Sequence, residues 1–312
     1  MKYQWEITPE INQLLVKLEA QKIALENTKS LPHVELAIRK KSLLRSAVYS
    51  ARIEGFSDEE SSPKKASQNL LTAYNFVHSE TKHDFSITEI KKLHQIVMRN
   101  LSGNAGSYRS EPWAIYDQTG NAVYLAPMHF EIPKLMEDYE EYISGLSDHP
   151  AIVSAVAQFI FEKIHPFADG NGRVGRLISS LLLTKRGYGL RGLIPFEHYI
   201  ESRRGEYYLT LESSTNITSF IKFFLEALTS EIEEIITSLS SCEEKREDLL
   251  LPRRQEILGI ISDHPLCTFD TIRRLFLSVN VKTLQYDISQ LTKKGFIEKV
   301  GTTRGAMYKR TE

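Results

Sequence analysis

The chain has 312 residues, 41% hydrophobic and 25% charged, an ordinary water-soluble composition with room for two domains. No stretch approaches 18 uninterrupted apolar residues, and the opening MKYQWEITPEINQLL lacks the basic start and apolar run of a secretory leader. A membrane span is therefore not expected, and the cytoplasm is the expected location. Two cysteines, Cys242 and Cys267, supply neither a disulfide framework nor a metal cluster.

The net charge of −1 names no partner, yet it is unevenly spread. From Pro252 onward there are 11 Lys and Arg against 6 Asp and Glu, a net of +5, whereas the preceding residues carry 28 against 34, a net of −6. A basic end on an acidic body points to a separate unit that meets a polyanion.

In chain order, residues 8–29 show apolar residues at helical spacing, with Thr8 and Pro9 as cap and first turn. A second helix is predicted from Pro32 to Gly55, and the polar run 57–65 reads as a loop. Helical patterns return at 66–79 and at 87–101, the latter capped by Ser86 or Thr88 with Glu89 in its first turn. Residues 102–127 change character: Gly120-Asn121 lies between two short aromatic and β-branched segments, a β-hairpin signal. Helices are predicted again at 130–145, 150–164, 174–186, about 197–213 and about 216–240.

After the charged stretch 241–252, three helices and a hairpin fill the remainder: RRQEILGIISDH, TFDTIRRLF opened by Thr268, VKTLQYDISQLTKKG, then two strands around a Gly301–Gly305 turn. That is the layout of a winged helix-turn-helix. Leu284, Ile288 and Leu291 belong to its core. Lys282, Gln285, Tyr286, Gln290 and Lys293 form the groove-facing set, with Arg304, Lys309 and Arg310 on the wing. Winged helices bind DNA and also dock proteins, so both partners stay open.

The chemistry concentrates at residues 165–176, HPFADGNGRVGR, which join two segments apolar enough to be buried helices. Pro166 ends the first helix at His165. Gly170 and Gly172 permit positive φ, so successive N–H groups curl into an anion nest at the start of the next helix. Arg173 and Arg176, three apart on one face near that helix start, oppose the helix dipole by up to about 1 kcal/mol each. A polyphosphate ligand reverses the sign of that cost. Asp169 would repel phosphate unless a hard divalent cation bridges the two, and His165 is placed as a general base.

HPFADGNGRVGR matches throughout the signature of Fic-domain proteins, His-Pro-Phe-x-acid-Gly-Asn-Gly-Arg-x-x-Arg. The chain resembles that family over roughly residues 40–230, GSYR at 106–109 included. The resemblance implies a mainly α fold, a Fic helical domain with a β-hairpin flap, followed here by the small winged helix-turn-helix domain. It divides the chain into N-terminal helices at 1–100, a catalytic core at 101–245 with its flap at about 115–127, and the winged unit at 252–312. It implies ATP as substrate, Mg²⁺, and transfer of AMP to a Ser, Thr or Tyr hydroxyl of a target protein. By the same resemblance His165 is the base and Asp169 holds Mg²⁺. Gly170, Asn171 and Gly172 form the nest, Arg173 contacts the phosphates, and Arg176 meets the γ-phosphate. The flap strand with Val123, Tyr124 and Leu125 docks the target.

SARIEG at 50–55 resembles the inhibitory helix of the family, with Ser50, Glu54 and Gly55 at the matching positions. That implies an ion pair from Glu54 to Arg176 which blocks productive ATP binding. A homodimer is the family habit. Removal of AMP, or a DNA-binding regulator that only senses nucleotide, are the alternatives; the base at His165 favours transfer.

Overall fold

A computed structural model describes residues 3–28, 32–55, 61–79, 84–116, 122–212, 215–241, 250–264, 267–277, 279–301 and 306–311. The chain divides into two compact units, Met1–Ser241 and Cys242–Glu312.

The first unit is built on helices α1 (Pro9–Asn27), α2 (Pro32–Ile53), α3 (Ser61–Val77), α4 (Ile87–Val97), α5 (Ile132–Gly145), α6 (Pro150–Ile164), α7 (Asn171–Lys185), α8 (Glu197–Ser202), α9 (Arg204–Glu212) and α10 (Thr218–Ser241). Thr8 caps α1 by accepting from the Ile11 N–H, and Ser86 caps α4 by accepting from the Glu89 N–H. Between α4 and α5 lies a hairpin of β1 (Ala114–Tyr116) and β2 (Ala122–Leu125), antiparallel, with Ile115 opposite Tyr124 and a bulge before Tyr116. Its turn, Gly120-Asn121, lies outside the described residues.

Helices α6 and α7 pack on each other at the centre and are buried along nearly their whole length. Small side chains let them approach. Ser179 on α7 donates to the Gln158 side chain at 2.8 Å, and its hydroxyl also lies 3.1 Å from the Ser154 carbonyl. α10 packs against both α1 and α6, and α2 packs against α3 and α8, so the core is one continuous cluster.

Several boundaries differ from the sequence expectation, among them that of α4, which ends at Val97 and not at residue 101. α3 starts at Ser61, inside the predicted loop, because Pro63 in a first turn costs no intrahelical hydrogen bond. α7 starts at Asn171. The helix expected over about 197–213 is two helices broken at Arg203, with Gly205 weakening the start of the second.

The second unit comprises α11 (Pro252–Asp263), β3 (Cys267–Thr268), α12 (Phe269–Leu275), α13 (Val281–Lys293), β4 (Ile297–Val300) and β5 (Met307–Arg310). Its antiparallel sheet has the order β3-β5-β4. β3 is two residues long, too short to leave an alternation in the sequence, and its Thr268 also caps α12 by accepting from the Thr271 N–H. Leu284, Ile288 and Leu291 lie in the core with Ile257, Ile272 and Ile297.

Asp287, also buried on α13, accepts from Arg253 at 2.6 Å and Arg254 at 2.8 Å, tying α11 to α13. Asp287→Ala removes both charge-assisted hydrogen bonds and costs about 2–3 kcal/mol. Hydrogen exchange of the full chain is expected to speed up by about 30-fold or more in α11 and α13 and to stay unchanged in α6 and α7.

Candidate active site

The loop between α6 and α7 is clamped from several sides. His165 ends α6 in a left-handed conformation (φ 49°), a strained geometry for a non-glycine residue. Arg109, itself buried, holds it there: Nε donates to the His165 carbonyl at 2.8 Å, Nη1 to the Glu111 carbonyl and Nη2 to the Pro127 carbonyl. The Asn171 side chain closes a clip on the loop, accepting from the Phe167 N–H and donating to the Phe167 carbonyl.

His94 of α4 stacks face to face on Phe167, with ring centroids 3.7 Å apart. Its Nε2 donates to the Asp169 carbonyl and its Nδ1 accepts from the Gly106 N–H. Burial lowers the His94 pKa to about 4, so it works as a neutral connector.

His165 is lowered to about 4 as well, first by burial, and its ring stacks on Trp113 at 3.6 Å. Its Nδ1 lies 3.3 Å from the Glu162 carbonyl, which only accepts; the proton therefore belongs on Nδ1. Nε2 keeps its lone pair for another proton. A neutral imidazole with one nitrogen oriented and the other open is a general base.

Beside it α7 opens with N–H groups that lack intrahelical acceptors. Gly170 has φ 83°, as the nest requires, and a Cβ there would meet Met98 Sδ at 2.9 Å. Gly172 corrects the expectation: it is helical, without positive φ. Its lack of a side chain matters because a Cβ there would stand 2.3 Å from Glu54 Oε1. Asn171 likewise uses its side chain to hold the loop.

Both arginines are fully buried. Arg173 Nη2 donates to Asp169 Oδ1 at 2.8 Å. Arg176, a turn further on, donates from Nε to Ser50 Oγ and from Nη2 to the Ser50 carbonyl and Glu54 Oε1, each at 2.9 Å. Burial works against the Arg176 charge, yet Glu54 and its neighbours outweigh it and raise the pKa. The α2 end that carries Glu54 is held by α9: Tyr208 donates to the Ile53 carbonyl at 3.1 Å, and Gly55 follows with φ 86°.

Residues 84–183 match the Fic/DOC family model. Over those residues the chain is similar to the Fic/DOC family. Protein adenylyltransferase Fic of Drosophila melanogaster is 25% identical over 242 residues, and that of Drosophila erecta 27% over 244. Each alignment covers 76% of this chain and 40% of the relative, so the chain spans well under half of these curated relatives. A Fic family protein from Desulfovibrio desulfuricans superposes with a TM-score of 0.72 at 22% identity, covering 100% of this chain and 98% of that one. Fic-1 from C. elegans gives 0.60 at 17% identity over 74% and 73%. The mainly helical architecture is thus the Fic fold.

In the first unit His165, Asp169, Gly170, Asn171, Gly172, Arg173 and Arg176 fall on one loop and one helix start, and the C-terminal end of α2 brings Ser50 and Glu54 to them. The flap residues diverge. Tyr124 donates to the Lys163 carbonyl and anchors the hairpin on α6, whereas Leu125 is 60% exposed. The Val123 side chain lies outside the described residues. In the other unit Lys282, Gln285, Tyr286 and Lys293 are exposed and Gln290 is half-buried. Arg304 lies outside the described residues. Lys309 pairs with Glu298, and Arg310 bonds Ser262.

Sequence reasoning missed His94 and Trp113. A single histidine in an amphipathic helix and a tryptophan before a strand carry no local signature. Gly172→Ala places a methyl group where Glu54 Oε1 stands and is expected to expel that carboxylate. Hydrogen exchange at residues 50–55 should then rise by about tenfold or more while the α6 core keeps its protection.

Proposed function

We propose that the Fic site transfers AMP from ATP to a Ser, Thr or Tyr hydroxyl of a target protein, and that Glu54 restrains it. The observation that carries this reading is the neutral His165, its Nε2 open, beside the first N–H groups of α7 and two buried arginines. The names of the curated relatives support the same chemistry.

The hydroxyl oxygen attacks the α-phosphorus as its proton passes to His165 Nε2. The bond to the pyrophosphate oxygen breaks, and pyrophosphate leaves. Arg173 and the opening N–H groups of α7 orient the phosphates and stabilise charge in a site with little water. Asp169, an oxygen donor whose side chain is 63% exposed, fits Mg²⁺ together with phosphate oxygens. The ion, when bound, neutralises phosphate charge. While Arg176 is engaged by Glu54 and Ser50 it is withheld from the γ-phosphate. The flap receives an extended target segment along β2, where Leu125 is exposed.

In the presence of Mg²⁺, α-labelled ATP and a lysate as target source, Glu54→Gly is expected to transfer label about tenfold or more faster than the native protein. Adding His165→Ala should lower that rate by about 10²–10⁴-fold. An absence of label in every variant, with nucleotide still bound, would point to AMP removal or nucleotide sensing. The acid limb of kcat/KM for Glu54→Gly should lie at or below about pH 4: protonating His165 abolishes the base, its pKa is about 4 with Glu54 in place, and the variant loses the upward pull of the Glu54 charge.

For the second unit we propose a winged helix that binds DNA through the exposed Lys282, Gln285, Tyr286 and Lys293 on α13. Leu275 and Leu277, 60% and 88% exposed beside the α12–α13 turn, are the observation on the side of protein docking. Affinity for duplex DNA that falls by about tenfold or more between about 50 and about 200 mM salt supports the first reading. No binding at the lower salt supports the second.

A further inference from the structure

The Glu54–Arg176 pair has a third party. Gly172 and Gly175 lie three apart and so on one face of α7. A Cβ at Gly172 would stand 2.3 Å from Glu54 Oε1, and one at Gly175 would stand 2.6 Å from Glu162 Oε1. Two carboxylates therefore rest on adjacent glycine gaps of the helix that carries Arg176. The hydrogen bonds around them are unequal. Arg176 Nε and Nη2 are engaged by Ser50 and Glu54, whereas Arg176 Nη1 is buried without a partner. Glu162 Oε1 is also buried without a partner. The mechanism above uses the Glu162 carbonyl and leaves its side chain idle.

One guanidinium beside two carboxylates leaves an excess negative charge, and a shielded site avoids it by keeping one carboxyl protonated. Glu54 already holds the guanidinium, so the proton falls to Glu162. We propose that Glu162 is a reserve counter-ion that positions Arg176, neutral while Glu54 is docked and ionised once Glu54 withdraws, so that opening the brake releases one proton. The role of Glu54 as a brake rests on the function proposed above; the carboxylate pairing itself does not. On withdrawal the Glu162 O–H bond breaks, the proton goes to solvent, and the carboxylate gains Arg176 as its partner. The guanidinium thereby stays aimed at the α7 N-terminus without Glu54.

The Glu162 pKa agrees, raised to about 8 by burial first and by Glu54 second, with Arg176 opposing. The titratable and charged groups around Glu162 are Glu54 of α2, Arg176 of α7, Tyr207 of α9, Tyr139 of α5 and Tyr124 of β2. His165 faces its carbonyl. The three tyrosines are all shifted upward by burial and stay neutral over the relevant range, which leaves Glu54 and Arg176 as the charges that add to or oppose the effect of burial.

The test needs no activity, so its failure is separable from failure of the transferase reading. Unfolding of the full chain without nucleotide is followed from pH 5 to 9 for the native protein, Glu162→Gln, Glu54→Gln and the double variant. An unfolded glutamate titrates near about 4.3. Between that value and about 8 the native state holds the extra proton, so native stability relative to Glu162→Gln falls as pH rises and levels off above about 8. In the Glu54→Gln background the levelling point should move down by about one pH unit or more. A flat difference between native and Glu162→Gln, or the same levelling point in both backgrounds, overturns the proposal. Should Glu162→Gln not fold, carboxyl-carbon NMR of Glu162 in the native and Glu54→Gln proteins reads the same shift directly.

Discussion

The buried guanidinium of Arg176 is the constraint around which the catalytic unit is arranged. It has no exposed surface, and it sits near the start of a helix whose dipole disfavours it. Leaving such a charge without a partner costs about 3–5 kcal/mol, so an anion has to be present in every stable state. In this structure Glu54 fills that place, and Ser50 adds two hydrogen bonds from the same helix. A well-packed apolar residue would satisfy the core equally well, so retention of the charge points to a ligand that needs it.

Several neighbouring features fit the exchange of anions proposed above. Glycine at 172 gives the Glu54 carboxylate room against α7, and glycine at 175 does the same for Glu162. Along α2 the buried positions Ser42, Ser46 and Ser50 lead to Glu54 at four-residue spacing, a polar seam in an otherwise apolar interface. Helices packed through such a seam lose less on separation than helices packed through leucines. Behind it the Tyr74 hydroxyl donates to the buried Glu197 of α8, whose carboxyl is raised by burial. The loop at 165–171 is built the other way: Arg109, Asn171, His94 and Phe167 fix it through hydrogen bonds and stacking from several sides. Under the function proposed above, a rigidly held His165 next to a helix end bound through polar contacts divides the labour between base and brake.

Many elements were legible in the residues. The α6–loop–α7 unit, with His165, Asp169 and both arginines, could be read from twelve consecutive positions, because Pro166 and Gly170 mark a helix–turn–helix junction locally and the charged residues complete the loop signature. Ser50 and Glu54 were legible only through the resemblance of SARIEG at 50–55 to the inhibitory helix of the Fic family. Other features were not. Gly172 reads as a turn glycine, and its real reason is a carboxylate from more than a hundred residues away. Tyr124 reads as part of a docking strand, and it is the anchor of the hairpin. β3 is too short to show a period.

The amino-acid order alone determines most of the helical segments and marks the signature at 165–176, since periodicity, caps and the loop signature are local properties. The Glu54–Arg176 pair was expected only from the family resemblance; why Gly172 must lack a side chain, how His94 and Trp113 hold the loop and His165, and that Glu162 shares the site with Glu54 are decided by packing. Each of these depends on groups from separate helices meeting within a few ångströms, and no local pattern records such a meeting.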